Sequence, residues 1–102
     1  MIVIPISPEF VAQITSGLKV STIRSGTRTY PLGPAVLRSR LHRIPVNITA
    51  IRHKSFSGLR EDDALSDGFR SLADLLIALR RFYPSIGKDD AVTIIKFTRR
   101  DG

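Results

Sequence analysis

A lysine, a serine, a threonine and an arginine fall within six residues of one another, at Lys19, Ser21, Thr22 and Arg24. They follow Gly17 and Leu18 and enter a stretch with strand character, Val20-Ser21-Thr22-Ile23-Arg24. Side chains of a strand alternate between its faces, so Thr22 and Arg24 share one face with Val20, while Ser21 and Ile23 share the other. Lys19, at the turn, is free to lean either way. A cation, a hydroxyl and a guanidinium at the mouth of one small cavity are the parts of a nucleophilic site, or of a pocket for an anionic or polar ligand. The same spacing also suits a solvated strand edge, where such charges contribute little.

The elements that must position these residues are legible from local pattern. Ser7-Pro8-Glu9 is a compact helix start, with a capping hydroxyl, a proline suited to the first helical position and an acid at the positive end of the dipole. Phe10, Val11 and Ile14 form an apolar stripe, and Gly17 suits the stop. Residues 1–6 read as a first strand and 20–24 as a second. Turns follow at 25–28 and 30–34. Residues 35–41 alternate in part, and Pro45 is expected to break or edge the sheet. A cleaner strand spans 46–51. The polar, acidic stretch 55–68 reads as loop with one short helical turn. Ser71 and Asp74 open a second helix whose buried face holds Leu72, Leu75, Leu76 and Leu79. It ends at Tyr83-Pro84, and 91–97 forms a strongly apolar last strand before a frayed tail at 99–102. The phenylalanines Phe10, Phe82 and Phe97 are expected in the core.

A chain of 102 residues is one domain with one compact core. It has no cysteine, which removes disulfides, thiolate zinc sites and cysteine nucleophiles together. His42 and His53 stand eleven residues apart with no acid between them, which speaks against a metal site and for surface or hydrogen-bonding roles. Nothing implies a cofactor. The apolar opening is short, lacks a basic segment and is broken by Pro5, and no run of about 18 apolar residues exists. No membrane association is expected, and a cytoplasmic location is. The net charge is +7 and uneven: residues 1–51 hold six Lys/Arg against the single acid Glu9, and residues 52–102 hold ten against eight. Such an excess favours an anionic partner, most often nucleic acid.

The opening motif F-x-x-x-I-x-x-G-x-K-x-x-T-I-R, from Phe10 to Arg24, resembles the start of ASCH domains, which have a PUA-like fold. Tyr30-Pro31-Leu32-Gly33, Asp67-Gly68-Phe69-x-Ser71-x-x-x-Leu75, Phe82-Tyr83-Pro84 and Val92-Thr93-Ile94-Ile95-Lys96-Phe97 continue the likeness in order. It is most similar to small bacterial members that act as N(4)-acetylcytidine amidohydrolases. The pattern of strands and helices suits either an open α+β sheet or a small barrel. The resemblance selects an α+β, PUA-like mixed barrel of about five strands flanked by two helices.

The resemblance also implies roles. The relatives' catalytic lysine and threonine fall on Lys19 and Thr22, with Thr22 as nucleophile. Their glutamate falls near Asp67, so this chain carries the shorter acid. Ser21 and Arg24 are the expected substrate-binding pair, Arg24 also bracing the cavity. Arg38, Arg40 and Arg43, with Arg28 nearby and Tyr30 as a base-stacking candidate, form a basic run that suits a phosphate backbone. Charge that protects an edge strand is the competing account of that run. The expected function is binding of RNA or a modified nucleoside in a polar cavity. The alternative is amide hydrolysis of N(4)-acetylcytidine or a related small amide by Lys19, Thr22 and Asp67. A ribonuclease is a weaker third reading, with no residues here to assign to it.

Overall fold

The computed structural model describes residues 1–100. Five strands form one mixed sheet in the order β1-β3-β4-β5-β2. They are β1 (Ile2–Pro5), β2 (Ser21–Ser25), β3 (Gly33–Arg38), β4 (Arg43–Ser55) and β5 (Ala91–Arg99). Only β1 and β3 run parallel. The sheet curls into a half-barrel whose two edge strands, β1 and β2, do not pair with each other.

Apolar side chains on the two faces of the sheet build two cores. One holds Ile4, Leu37, Val46, Ile48, Ile95 and Phe97 with Val11 and Ile14 of helix α1 (Val11–Ser16). The other holds Ile23, Val92 and Ile94 against α2 (Glu61–Ser66) and α3 (Leu72–Phe82), through Ala64, Leu75 and Leu79. The alternation of Val92, Ile94 with Ile95, Phe97 therefore feeds both cores from one strand.

Helix ends follow the sequence signals except at Ser7, which occupies the cap position but makes no side-chain capping hydrogen bond. Pro8–Phe10 form a 3-10 turn that leads into α1, and Gly17 stops it in the left-handed conformation at φ 87°. Ser71 caps α3 by accepting the Asp74 N–H at 3.2 Å.

Four expectations are corrected. The chain from 55 to 68 is not loop with one turn: it holds a 3-10 turn and a third helix, α2. Asp63 anchors that helix by accepting the Arg60 N–H at 2.8 Å and pairing with Lys54 at 2.7 Å. Pro45 does not break the sheet but lies inside β4, paired opposite Val36. Its carbonyl accepts the Arg100 N–H at 2.9 Å. In a strand the nitrogen points to the same side as the carbonyl, so the missing donor faces the end of the β5 ladder and β3 loses nothing. Phe82 is 45% exposed, not core. Residues 99 and 100 are not frayed, since β5 runs through Arg99 and the Arg100 guanidinium donates to the Val46 carbonyl at 3.1 Å. The rest of the expected tail, 101 and 102, lies outside the described residues.

Candidate functional site

The chain after α1 is tied down at both ends of its turn. The Lys19 N–H donates to the Gln13 carbonyl at 3.0 Å, and the Val20 N–H donates to the Ser66 carbonyl at 2.8 Å. The second of these bonds holds the end of α2 against the entry to β2. Gly68 allows the close approach: its φ is 88°, and a Cβ there would meet Gln13 Oε1 at 3.1 Å and Lys19 Cβ at 3.2 Å. The Gln13 amide crosses the gap too, donating to the Gly68 carbonyl at 3.3 Å.

Within that junction Lys19 and Asp67 meet. The Lys19 Nζ lies 2.5 Å from Asp67 Oδ1 and 3.1 Å from the Asp67 carbonyl oxygen. Both residues are buried, at 2% and 4% exposure. The short reach of an aspartate is thus met by a backbone that sits close. The Phe10 ring stands 4.8 Å from the Lys19 ammonium, a cation–π contact, and packs edge-on to Phe69 and tilted to Phe82. Burial disfavours the charged form of each partner. It lowers the Lys19 amine from its ordinary value and lifts the Asp67 carboxyl to about 6, while their attraction opposes both shifts.

Strand alternation brings the second pair together as expected. Thr22, 4% exposed, and Arg24 share a face, and the Arg24 guanidinium donates to Thr22 Oγ1 at 2.6 Å and to the Ile23 carbonyl at 3.1 Å. Its other terminal nitrogen donates to the Pro5 carbonyl on β1. One side chain therefore spans the open side of the half-barrel between β2 and β1. Burial lowers the guanidinium's proton affinity, against the opposing pull of Tyr83, Asp67 and Tyr30.

All four side chains line one cavity of about 290 Å³ between residues 5–10 and α3. Its polar floor is Lys19, Asp67, Thr22 and Arg24; its walls include Phe10, Phe69, Phe82 and Tyr83. Ser21 does not line it. Ser21 is fully buried, and its hydroxyl has no hydrogen-bond partner among the described residues. Ser21, expected as a substrate-binding residue, thus lies outside the cavity lining, to which Ile23 of the same strand face contributes.

The expected nucleic-acid residues lie elsewhere and do not form one cluster. Arg28 is exposed and donates its N–H to Thr93 Oγ1 at 2.9 Å and its side-chain Nε to the Ser25 carbonyl at 3.0 Å. Tyr30 packs half-buried against the first core. Arg38, Arg40 and Arg43 sit together at the β3–β4 hairpin, where Arg38 and Arg43 are register partners. His53 bonds through Nε2 to the Arg28 carbonyl at 2.8 Å, and His42 is an exposed hairpin residue. Tyr83 and the three cavity phenylalanines are site residues that the sequence does not flag. Their apolar periodicity is that of core packing, and only the void beside them distinguishes the two.

This half-barrel with its helices is the fold of ASCH domains, within the PUA-like class. The chain matches the ASCH domain of Lactobacillus crispatus JV V101 with a TM-score of 0.74 and 20% identity, over 86% of this chain and 68% of that one. It matches an ASCH protein of Zymomonas mobilis with a TM-score of 0.67 and 20% identity, over 94% of this chain and 66% of that one. A third structure, of a protein described only as hypothetical, matches at 0.73 and 19% identity, over 95% and 96% of the two chains. The chain spans about two thirds of the length of the two named ASCH structures. No family model and no curated protein matches it.

Proposed function

We propose that the cavity is the active site of an amidohydrolase that removes an acyl group from the exocyclic nitrogen of a cytosine, as in N(4)-acetylcytidine. The observation that carries this reading is the buried Lys19–Asp67 pair beside Thr22 and Arg24 in one aromatic-walled cavity. Titratable groups displaced by burial, gathered in a cleft, are what acid–base chemistry requires. The aromatic rings suit the faces of a base.

Each side chain has a role in such a reaction. Burial favours a neutral Lys19 amine, which takes the Thr22 hydroxyl proton as the oxygen attacks the amide carbon. Asp67 stabilises the ammonium that forms. Arg24 already donates to Thr22 Oγ1, so it lowers the proton affinity of that oxygen and faces the charge that develops on the carbonyl. The carbon–nitrogen bond breaks as the leaving nitrogen takes the proton back from Lys19. Water then cleaves the threonine ester by the same route, so amide plus water yields amine plus carboxylic acid.

A second reading rests on one observation. Thr22 Oγ1 is bonded to Arg24, and no hydrogen bond joins it to Lys19. A cavity in that state binds a modified nucleoside without cleaving it. Hydrolysis of N(4)-acetylcytidine by the wild type, Lys19→Ala and Thr22→Ala separates the two. Turnover abolished in both variants supports the hydrolase. No turnover in the wild type, with nucleoside binding weakened in both variants, supports the binder.

A further inference from the structure

A second concavity, of about 280 Å³, lies at the β3–β4 hairpin and is lined by Pro8, Ser39, Arg40, Leu41 and His42. The Ser39 Oγ on its wall is buried and has no hydrogen-bond partner. A buried hydroxyl left in that state forgoes a hydrogen bond that a ligand oxygen would supply. Arg40 flanks it. At the base of the hairpin Arg38 and Arg43 stand directly opposite each other, and like charges so placed repel. Residues 10–60 contain no acid at all. Among the described residues the three ion pairs are Lys19–Asp67, Lys54–Asp63 and Arg81–Glu9, so none involves the hairpin.

Protection of a sheet edge does not account for this charge. Strand β3 is covered by β1 through Arg38, and β4 lies between β3 and β5. Neither is an edge strand, so neither presents a row of open hydrogen-bonding groups to guard. What remains is a cluster of guanidinium groups, an orphan hydroxyl and a depression, with no counter-ion among the described residues.

The hairpin also adjoins the cavity. The Ile6 N–H donates to the Arg38 carbonyl at 2.8 Å. Ile6 and Ser7 line the main cavity, and Pro8 lines the hairpin concavity. The two depressions are thus separated by a single stretch of chain. Resting on the proposed function, we infer that the hairpin is a phosphate subsite for the same substrate. Arg40 and Ser39 hold a phosphate attached to the nucleoside whose base enters the cavity, and Arg38 and Arg43 supply the surrounding field. The phosphate belongs either to a mononucleotide or to an RNA strand.

The test is binding of a ten-nucleotide single-stranded RNA carrying one central N(4)-acetylcytidine, and of the same RNA unmodified, followed by anisotropy between 50 and 200 mM salt. Arg40→Ala is expected to weaken both about tenfold and to flatten the salt dependence by about 0.7 in logarithmic slope for each phosphate no longer neutralised. The exposed Arg70→Ala, which removes the same charge elsewhere, is expected to change neither. Cytidine 5′-monophosphate as competitor distinguishes the sources. Displacement at concentrations matching the RNA's own affinity assigns the site to a mononucleotide, and weak displacement assigns it to a strand; either supports the subsite if Arg40→Ala abolishes it. Equal affinity and slope in wild type, Arg40→Ala and the Arg38→Ala/Arg43→Ala double variant would overturn it. Unmodified RNA needs no hydrolysis to bind, so this outcome is independent of whether the cavity turns over its substrate.

Discussion

Two ion pairs, one lining the cavity and one just outside it, differ in kind. Lys19–Asp67 forms its floor, almost wholly buried, with its partners, 48 residues apart in sequence, brought together by backbone hydrogen bonds. Glu9–Arg81, at 2.9 Å, lies outside the lining at the rim and joins the 3-10 turn before α1 to the end of α3, with both side chains about half exposed. At the floor, burial displaces both groups from their ordinary proton affinities and forces them to rely on each other. At the rim, water screens the charges and the pair gains little over hydrated side chains. Similar geometry therefore perturbs proton affinities in one place and gives only modest bracing in the other.

The sharpest way to break this contrast is to remove one floor charge. Asp67→Asn leaves Lys19 buried without an anion. The expected loss is about 10³-fold in kcat/KM for the acylated nucleoside and about 3 kcal/mol of stability, read by steady-state kinetics and denaturant titration. Extending the acid has a smaller effect. Asp67→Glu adds a methylene where the backbone is already close, and displacement by about 1 Å is expected to lower kcat about 10²-fold with the fold intact. Gly68→Ala attacks the same junction from behind. Its positive φ and the 3.1–3.2 Å approaches to Gln13 and Lys19 predict a loss of about 1–2 kcal/mol, measured by thermal melting, and a drop in activity that follows the floor pair.

A pH profile sharpens the comparison without any substitution. Asp67 carries its charge above about 6 and loses it below, so activity should rise with pH through that value. The limb should vanish in Asp67→Asn and persist in Glu9→Gln. The smallest effect belongs to the rim. A double-mutant cycle of Glu9→Gln with Arg81→Ala should return a coupling of roughly 0.2–1 kcal/mol that fades in high salt.

The residues near the floor were legible in the sequence because their geometry is local. Alternation alone unites Thr22 with Arg24. Pro8, Gly17 and Ser71 announce helix ends through groups that act within one turn. What the sequence hid depends on distant contacts. Helix α2 follows Arg60, without a capping hydroxyl, and its anchor is the carboxylate of Asp63 shared with Lys54 on β4. Pro45 passes through a strand because its nitrogen faces the end of a ladder, a fact of register. Phe10, Phe69 and Phe82 have the spacing of core residues, and they face a void only because the sheet stays open between β1 and β2.

That opening ties ligand occupancy to the order of an edge strand. Strand β1 is held to the sheet by β3 on one side, while on the other its contact with β2 is the Arg24 guanidinium on the Pro5 carbonyl. A ligand that draws the guanidinium into the cavity competes with β1 for the same donor. Filling the cavity would then register at a distance, as faster solvent exchange of the Ile2, Val3 and Ile4 amides, and loosening that strand would register as tighter binding.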